Sequence, residues 1–278
     1  MSGNLFPYLI PFGVALAAAG SIRLLFGSTK GAQYAGVSFL VGFSAAWHWL
    51  LLAPWVPYDP LSRVIYIAIS GALAGLALDM FAFRRSWAVI VHIVFVLGCV
   101  WSTLTGELLG APPDSIAKWL RFGLYLALWL GLLARLGSFK SEGPTALVTV
   151  LMLALGLGFV AQMSGQGEIG ATAYTLAAAF AGLLALCWVL YLAVGNVIVL
   201  GGGGAVLGLS MILTEPGAET SVIALVFLLL IPFADGTAKR IPLGPQPIRT
   251  ALYPLALMIV SLLPIGLAGA IAFLLGRA

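Results

Sequence analysis

Three short stretches set carboxylates beside bases: "LDMFAFRR" with Asp79, Arg84 and Arg85, "FKSEG" with Lys140 and Glu142, and "ADGTAKR" with Asp235, Lys239 and Arg240. Arg249 lies a little beyond the third. Carboxylates bind a hard cation or a proton, whereas guanidinium and ammonium groups bind phosphate. Gathered at one face of a membrane, such groups would form a pocket for phosphate chemistry; the plain alternative is basic helix flanks with incidental acids. A fourth stretch, "NVIVLGGGGAVLGLSMIL", places Gly201, Gly202, Gly203 and Gly204 in an apolar run. Glycine serves where backbone must come close to another helix or to a ligand. Four in succession weaken a helix by roughly 1 kcal/mol each relative to alanine. A broken helix at membrane depth persists only where neighbours or a cavity satisfy its backbone.

The elements that must position these groups follow from composition. Of 278 residues, 62% are hydrophobic and only 8% charged, against roughly 25% charged in soluble domains. Mean hydropathy is +1.12. This is the composition of a polytopic membrane protein: an all-α bundle forming a single transmembrane domain over residues 1–278. A crossing helix needs about 20 apolar residues. Ten segments qualify: 5–26, 34–55, 64–82, 87–105, 117–136, 145–163, 171–194, 196–213, 220–234 and 250–275. "GN" at 195–196 must then turn tightly, and merging segments there would leave nine spans. The start, "MSGNLFPYLIPFG", lacks the basic flank of a cleaved signal and reads as the start of a retained helix.

Basic residues set the orientation. With both termini outside, the inner side holds Arg23, Lys30, Arg84, Arg85, Arg135, Lys140, Lys239, Arg240 and Arg249, and the outer side only Arg63, Lys118, Arg121 and Arg277. Asp79, Glu142 and Asp235 are then the inner acids, each beside bases.

The order of these segments resembles the polyprenyl-phosphate N-acetylhexosamine-1-phosphate transferases, which include the phospho-N-acetylmuramoyl-pentapeptide transferases. "ISGALAGLALDMFAFRR" is similar to the family's Gly-rich helix ending Leu-Asp-Asp, with Asp79 matching one aspartate and Met80 replacing the other. "VGNVIVLGGGGAVLG" is similar to its Gly-Asp-x-Gly-Ser segment, with Gly201 and Gly204 matching, Gly202 in place of the aspartate and Ala205 in place of the serine. "VFLLLIPFADGTAKR" resembles the helix ending Pro-x-x-Asp, with Pro232 and Asp235 matching. The Asn-rich stretch is echoed only by Glu142-Gly143, and the His-rich last loop falls on "LGPQPIRT", which has no histidine.

The resemblance implies transfer of a sugar 1-phosphate from a UDP-sugar to polyprenyl phosphate, with Mg²⁺, at the cytoplasmic face of a bacterial plasma membrane, for cell-envelope glycan synthesis. Asp79, Glu142 and Asp235 would be catalytic, and Asp79 and Asp235 would hold the metal. Arg84, Arg85, Lys140, Lys239, Arg240 and Arg249 would bind phosphates, and Gly201–Gly204 would form the nucleotide loop. The lost aspartate at Gly202 makes the alternative a catalytically inactive relative that binds lipid or partners an envelope-glycan enzyme. A third reading is a secondary transporter, which fits ten spans and a glycine-broken helix. It lacks an internal repeat and membrane-centre charges.

Other residues are read as structural. Cys99 and Cys187 lie in apolar runs and read as small buried hydrophobes. His48 and His92 sit at opposite depths and cannot share one haem iron. His48 with Trp47, Trp49 and Trp55 reads as an interfacial aromatic belt, and His92 as a hydrogen-bonding residue within the bundle. Arg121 and Lys118 snorkel to the outer interface, and Arg135 sits one turn from the inner end. No Walker loop, metal-binding cysteine pair or hydrolase triad is present. The few bases line one face, which excludes a nucleic-acid footprint.

Overall fold

The computed structural model describes residues 6–49, 60–81, 85–109, 116–139, 142–190, 194–214, 219–243 and 245–275. The regular elements among the described residues are all helical. They are α1 (Phe6–Ala35), α2 (Ser38–Trp49), α3 (Pro60–Met80), α4 (Arg85–Leu109), α5 (Ile116–Ser138), α6 (Thr145–Met163), α7 (Gly167–Leu190), α8 (Gly203–Ile212, continuing a π-helical turn Ile198–Gly202), α9 (Glu219–Leu228), α10 (Ala234–Ala238, after a 3₁₀ turn Ile231–Phe233) and α11 (Gln246–Leu275). Among the described residues, five helices are long and apolar enough to cross a membrane: Pro7–Gly27, Leu61–Met80, Thr145–Met163, Gly167–Leu190 and Thr250–Leu274. Shorter apolar helices cover Trp87–Ser102, Phe122–Ser138, Ile198–Ile212 and Ile223–Ala238.

The described part of each of the ten apolar segments is mainly helical, but two differ from the expected outline. The first does not stop near residue 26; it kinks at Gly27, whose φ of 77° only glycine adopts cheaply, and continues to Ala35. The ninth is not one helix. It ends at Leu228, and Pro232, which has no N–H to donate, sits in the 3₁₀ turn before α10. A further correction concerns the aromatic belt: Trp47 is fully buried, its ring edge-on to Phe43 with centroids 5.8 Å apart. Trp55 lies outside the described residues, as does the side chain of Trp49.

The glycine run explains the centre of the bundle. It is not a loop: Gly201 and Gly202 close the π turn, and Gly203 and Gly204 open α8, all four buried. Successive helical residues point about 100° apart, so four in a row face all round the axis. A methyl at Gly201 would meet the Ala72 backbone of α3 at 2.9 Å. At Gly202 it would meet Phe180 of α7 at 3.0 Å, at Gly203 Leu133 of α5 at 2.9 Å, and at Gly204 Phe95 of α4 at 3.0 Å. The run thus lets α8 be gripped by four helices. The tightest grip is with α3, where methyls on Gly71 and Gly75 would each come within 2.5 Å of a carbonyl oxygen, of Leu200 and Asn196 respectively. This is the small-residue packing that membrane helices use in place of a hydrophobic drive.

Candidate functional site: an ionic cluster below an apolar cleft

α3 and α5 finish at the end of the bundle where α8 begins. Asp79, in the last turn of α3, reaches Asn196 and Val197, the two residues just before the π turn that leads into α8. Its Oδ1 accepts from Asn196 Nδ2–H at 2.5 Å, and its Oδ2 faces the Val197 N–H at 3.4 Å. A carboxylate there meets unpaired N–H groups and the positive end of the helix dipole. Gly195 makes the approach possible, since a side chain on it would overlap the Asp79 carboxylate.

Four further charged groups gather on the same side. The turn from α5 to α6 presents Glu142: its N–H donates to the Phe139 carbonyl at 2.9 Å, Gly143 adopts φ 65°, and the Thr145 hydroxyl donates to the Glu142 carbonyl at 2.7 Å. Asp235 and Lys239 stand one turn apart at α10. Lys239 Nζ donates to both Glu142 oxygens, at 3.0 and 2.9 Å, and lies 3.0 Å from Asp235 Oδ2. Asp235, only 5% exposed, also faces Arg135 Nη2 at 3.7 Å and accepts from the Tyr253 hydroxyl of α11. Arg135 in turn donates from Nε to the Pro232 carbonyl at 3.3 Å and lies over the rings of Phe139 and Phe233. The hydrogen bond from Lys239 to Glu142, with that to Asp235, raises the Lys239 pKa above its ordinary value of 10.5 despite partial burial. Among the described residues, two acids and two bases leave the cluster neutral.

Above this cluster, away from the charged end, α5, α6, α8 and α9 enclose a cleft of about 510 Å³. Leu124, Leu128 and Leu132 line it on α5, with Leu157, Val206 and Leu229 opposite. Its polar groups are few: Ser210, and at the far end Tyr125 hydrogen-bonded to Thr214. The Trp129 indole N–H, fully buried beside it, has no hydrogen-bond partner among the described residues. Leu132, the last α5 residue of the cleft lining, lies one turn before Arg135, and the four charged residues of the cluster are not part of that lining.

Of the residues expected at the site, Glu142, Asp235 and Lys239 come together. Asp79 has other partners at the head of α8 and does not join them. Arg240 is exposed. Arg84 and Lys140 lie outside the described residues, as do the side chains of Arg85 and Arg249. Gly201–Gly204 touch helices where a nucleotide loop was expected. His92 donates from Nδ1 to the Ala88 carbonyl at 2.7 Å within its own helix. Arg135, Tyr253 and Asn196 were not singled out for the site. The signal for Tyr253 was a phenol two turns into an otherwise apolar helix, since a buried hydroxyl needs a partner.

The residues present do not fit the Mg²⁺ that the resemblance implies. Mg²⁺ takes one or two free carboxylates at about 2.0–2.1 Å together with waters and phosphates. Here Asp235 and Glu142 close on an ammonium, and Asp79 is engaged by Asn196 and the Val197 N–H. Among the described residues, no group of three or more His, Cys, Asp or Glu side chains could hold a metal ion.

The site and fold define an all-helical protein with membrane-length apolar helices and a neutral ionic cluster at one end of the bundle. Compared with protein-family models and with curated proteins, the chain finds no match in either.

Proposed function

We propose that the protein is an integral membrane protein that holds a single-chain anionic lipid, a polyprenyl phosphate, with its chain in the α5–α9 cleft and its phosphate at Arg135 and the neighbouring bases. The observation that carries this is the nearness of the cleft's inner α5 residue to a cation of the cluster: Leu132 is about 4.5 Å along α5 from Arg135. The cleft's 510 Å³ falls in the roughly 300–1,000 Å³ range of ligand pockets. In this reading the chain crosses the membrane ten times with both termini outside, and the cluster faces the cytoplasm.

The likeness to sugar-1-phosphate transferases supports the lipid class, but the carboxylates favour the inactive relative over the transferase. A phosphoryl transfer needs concentrated positive charge on the phosphates. Two acids already tied to Lys239 leave no place for a metal to supply it. The protein then serves an envelope-glycan pathway by binding or presenting the lipid carrier, alone or with a partner enzyme.

Reconstitution in nanodiscs with a photoreactive polyprenyl phosphate tests this. Crosslinks are expected on Leu128, Leu132 or Leu229, reduced by Leu157→Trp, with no UMP released from a panel of UDP-sugars with Mg²⁺. Crosslinks confined to the outer faces of α4 and α11 would overturn the lipid site. Metal-dependent UMP release would restore the transferase.

A further inference from the structure

We propose that the Lys239 ammonium is a built-in cation occupying the place of a divalent ion between Asp235 and Glu142, so that the cluster receives an anionic head group without metal. This deepens the reading above by naming what balances the site, and it rests on that reading only in taking the cluster as the head-group end.

The geometry is that of a chelated cation. Three carboxylate oxygens from two segments far apart in sequence lie 2.9–3.0 Å from one nitrogen. Glu142 turns both of its oxygens to Nζ, as a bidentate carboxylate does to a metal. Asp235 contributes one oxygen and commits the other to Tyr253. Oxygens that share a nitrogen at these distances are at most about 6 Å apart, and an ion with its ligands at about 2.1 Å needs about 4 Å. Glu142 is on an exposed turn and can close that gap; Asp235, held by Tyr253 and Arg135, is the fixed wall. An ordinary surface pair, such as Asp235 with Lys239 on one helix turn, explains neither the third oxygen nor the recruitment of Glu142 across 97 residues.

Charge settles the consequence. With Arg135 and Lys239 the described residues of the cluster are neutral, and an added dication would leave them two charges positive. Without the Lys239 ammonium they carry one net negative charge, and affinity for such ions rises with ligand charge.

The test uses the full chain in detergent with Mn²⁺ alone as probe, read by loss of the free-ion electron paramagnetic resonance signal. Wild type and Lys239→Arg, which keeps a cation, are expected to bind no Mn²⁺ at this site. Lys239→Ala is expected to gain one site, at least about tenfold tighter than any wild-type binding, and Glu142→Gln added to it is expected to abolish the gain. Lys239→Gln supplies the same readout if the alanine variant does not fold. Wild-type binding as tight as the variant's, or a folded Lys239→Ala or Lys239→Gln protein that gains none, overturns the proposal. No lipid is present, so the result is separate from the crosslinking that tests the lipid site.

Discussion

Gly75→Ala probes the central packing most directly. The added methyl would lie 2.5 Å from the Asn196 carbonyl oxygen and 2.6 Å from Val197 Cα, against an ordinary contact of about 3.5–4.0 Å. Every obstacle is backbone, so no side chain can rotate away. Overpacking costs typically 1–3 kcal/mol, and rigid neighbours place this case at the upper end, about 3 kcal/mol. Alanine's helix propensity returns about 1 kcal/mol, leaving a net loss of about 2 kcal/mol. Gly98→Ala on α4 is the control: its methyl meets nothing within 4 Å, so only the gain of up to about 1 kcal/mol remains. Unfolding followed by circular dichroism in mixed detergent should separate the two by about 3 kcal/mol. Equal stability of the two variants would refute the tight α3–α8 contact, and with it the account of the glycine run.

Within the run, Gly201→Ala should destabilise most, because it strikes the Ala72 backbone, and Gly203→Ala least, because it strikes only the tips of Leu133 and Leu136; the same unfolding assay ranks them. Asp79→Ala removes the acceptor for Asn196 and the Val197 N–H ahead of the π turn and should cost about 1 kcal/mol, with faster amide exchange confined to residues 196–198. Asp235→Asn strips the buried partner from Arg135 and Lys239. Breaking a buried pair costs roughly 3–5 kcal/mol, and the partial exposure of both bases should bring this to about 1–3 kcal/mol, read as a lowered unfolding midpoint. The Lys239 pKa is raised on folding, so its tie stabilises fully below 10.5 and is lost as pH climbs through the raised value. Wild type should therefore lose its advantage over Lys239→Gln above pH 10.5, and a difference between them that is flat across that range would contradict the tie.

Helices were legible because each needs only a long apolar run bounded by glycine, proline or charge; Thr145–Met163 matches the expected 145–163 segment. Ends set by backbone geometry were not. Gly27 could as well stop a helix as kink it, and only packing of the chain back along α1, where Gly31 meets the Arg23 backbone, decides. The glycine run was ambiguous for the same reason. Its cost to a helix is visible in one dimension, but the four neighbours that outweigh it come from α3, α4, α5 and α7, remote in sequence. Asp235, Glu142 and Lys239 were expected on one face, and the structure brings them together. Their pairing was not legible, since a lysine beside acids can serve a phosphate or the acids, and distance alone distinguishes these.

That pairing determines what the charged end can do. A basic patch with free carboxylates would hold metal and polyphosphate together. A cluster whose acids are satisfied internally leaves its attraction for an anion to the guanidinium of Arg135 and to exposed bases such as Arg240, which bind without metal. Arg135 is held beside Asp235 by contacts of its own: Pro232 accepts from its Nε, and its guanidinium lies over the rings of Phe139 and Phe233. The proline that breaks the ninth segment, the aspartate one turn after it and the leucines one turn before Arg135 then form one device. It bends the chain and holds a cation one turn from the inner α5 residue of the apolar cleft.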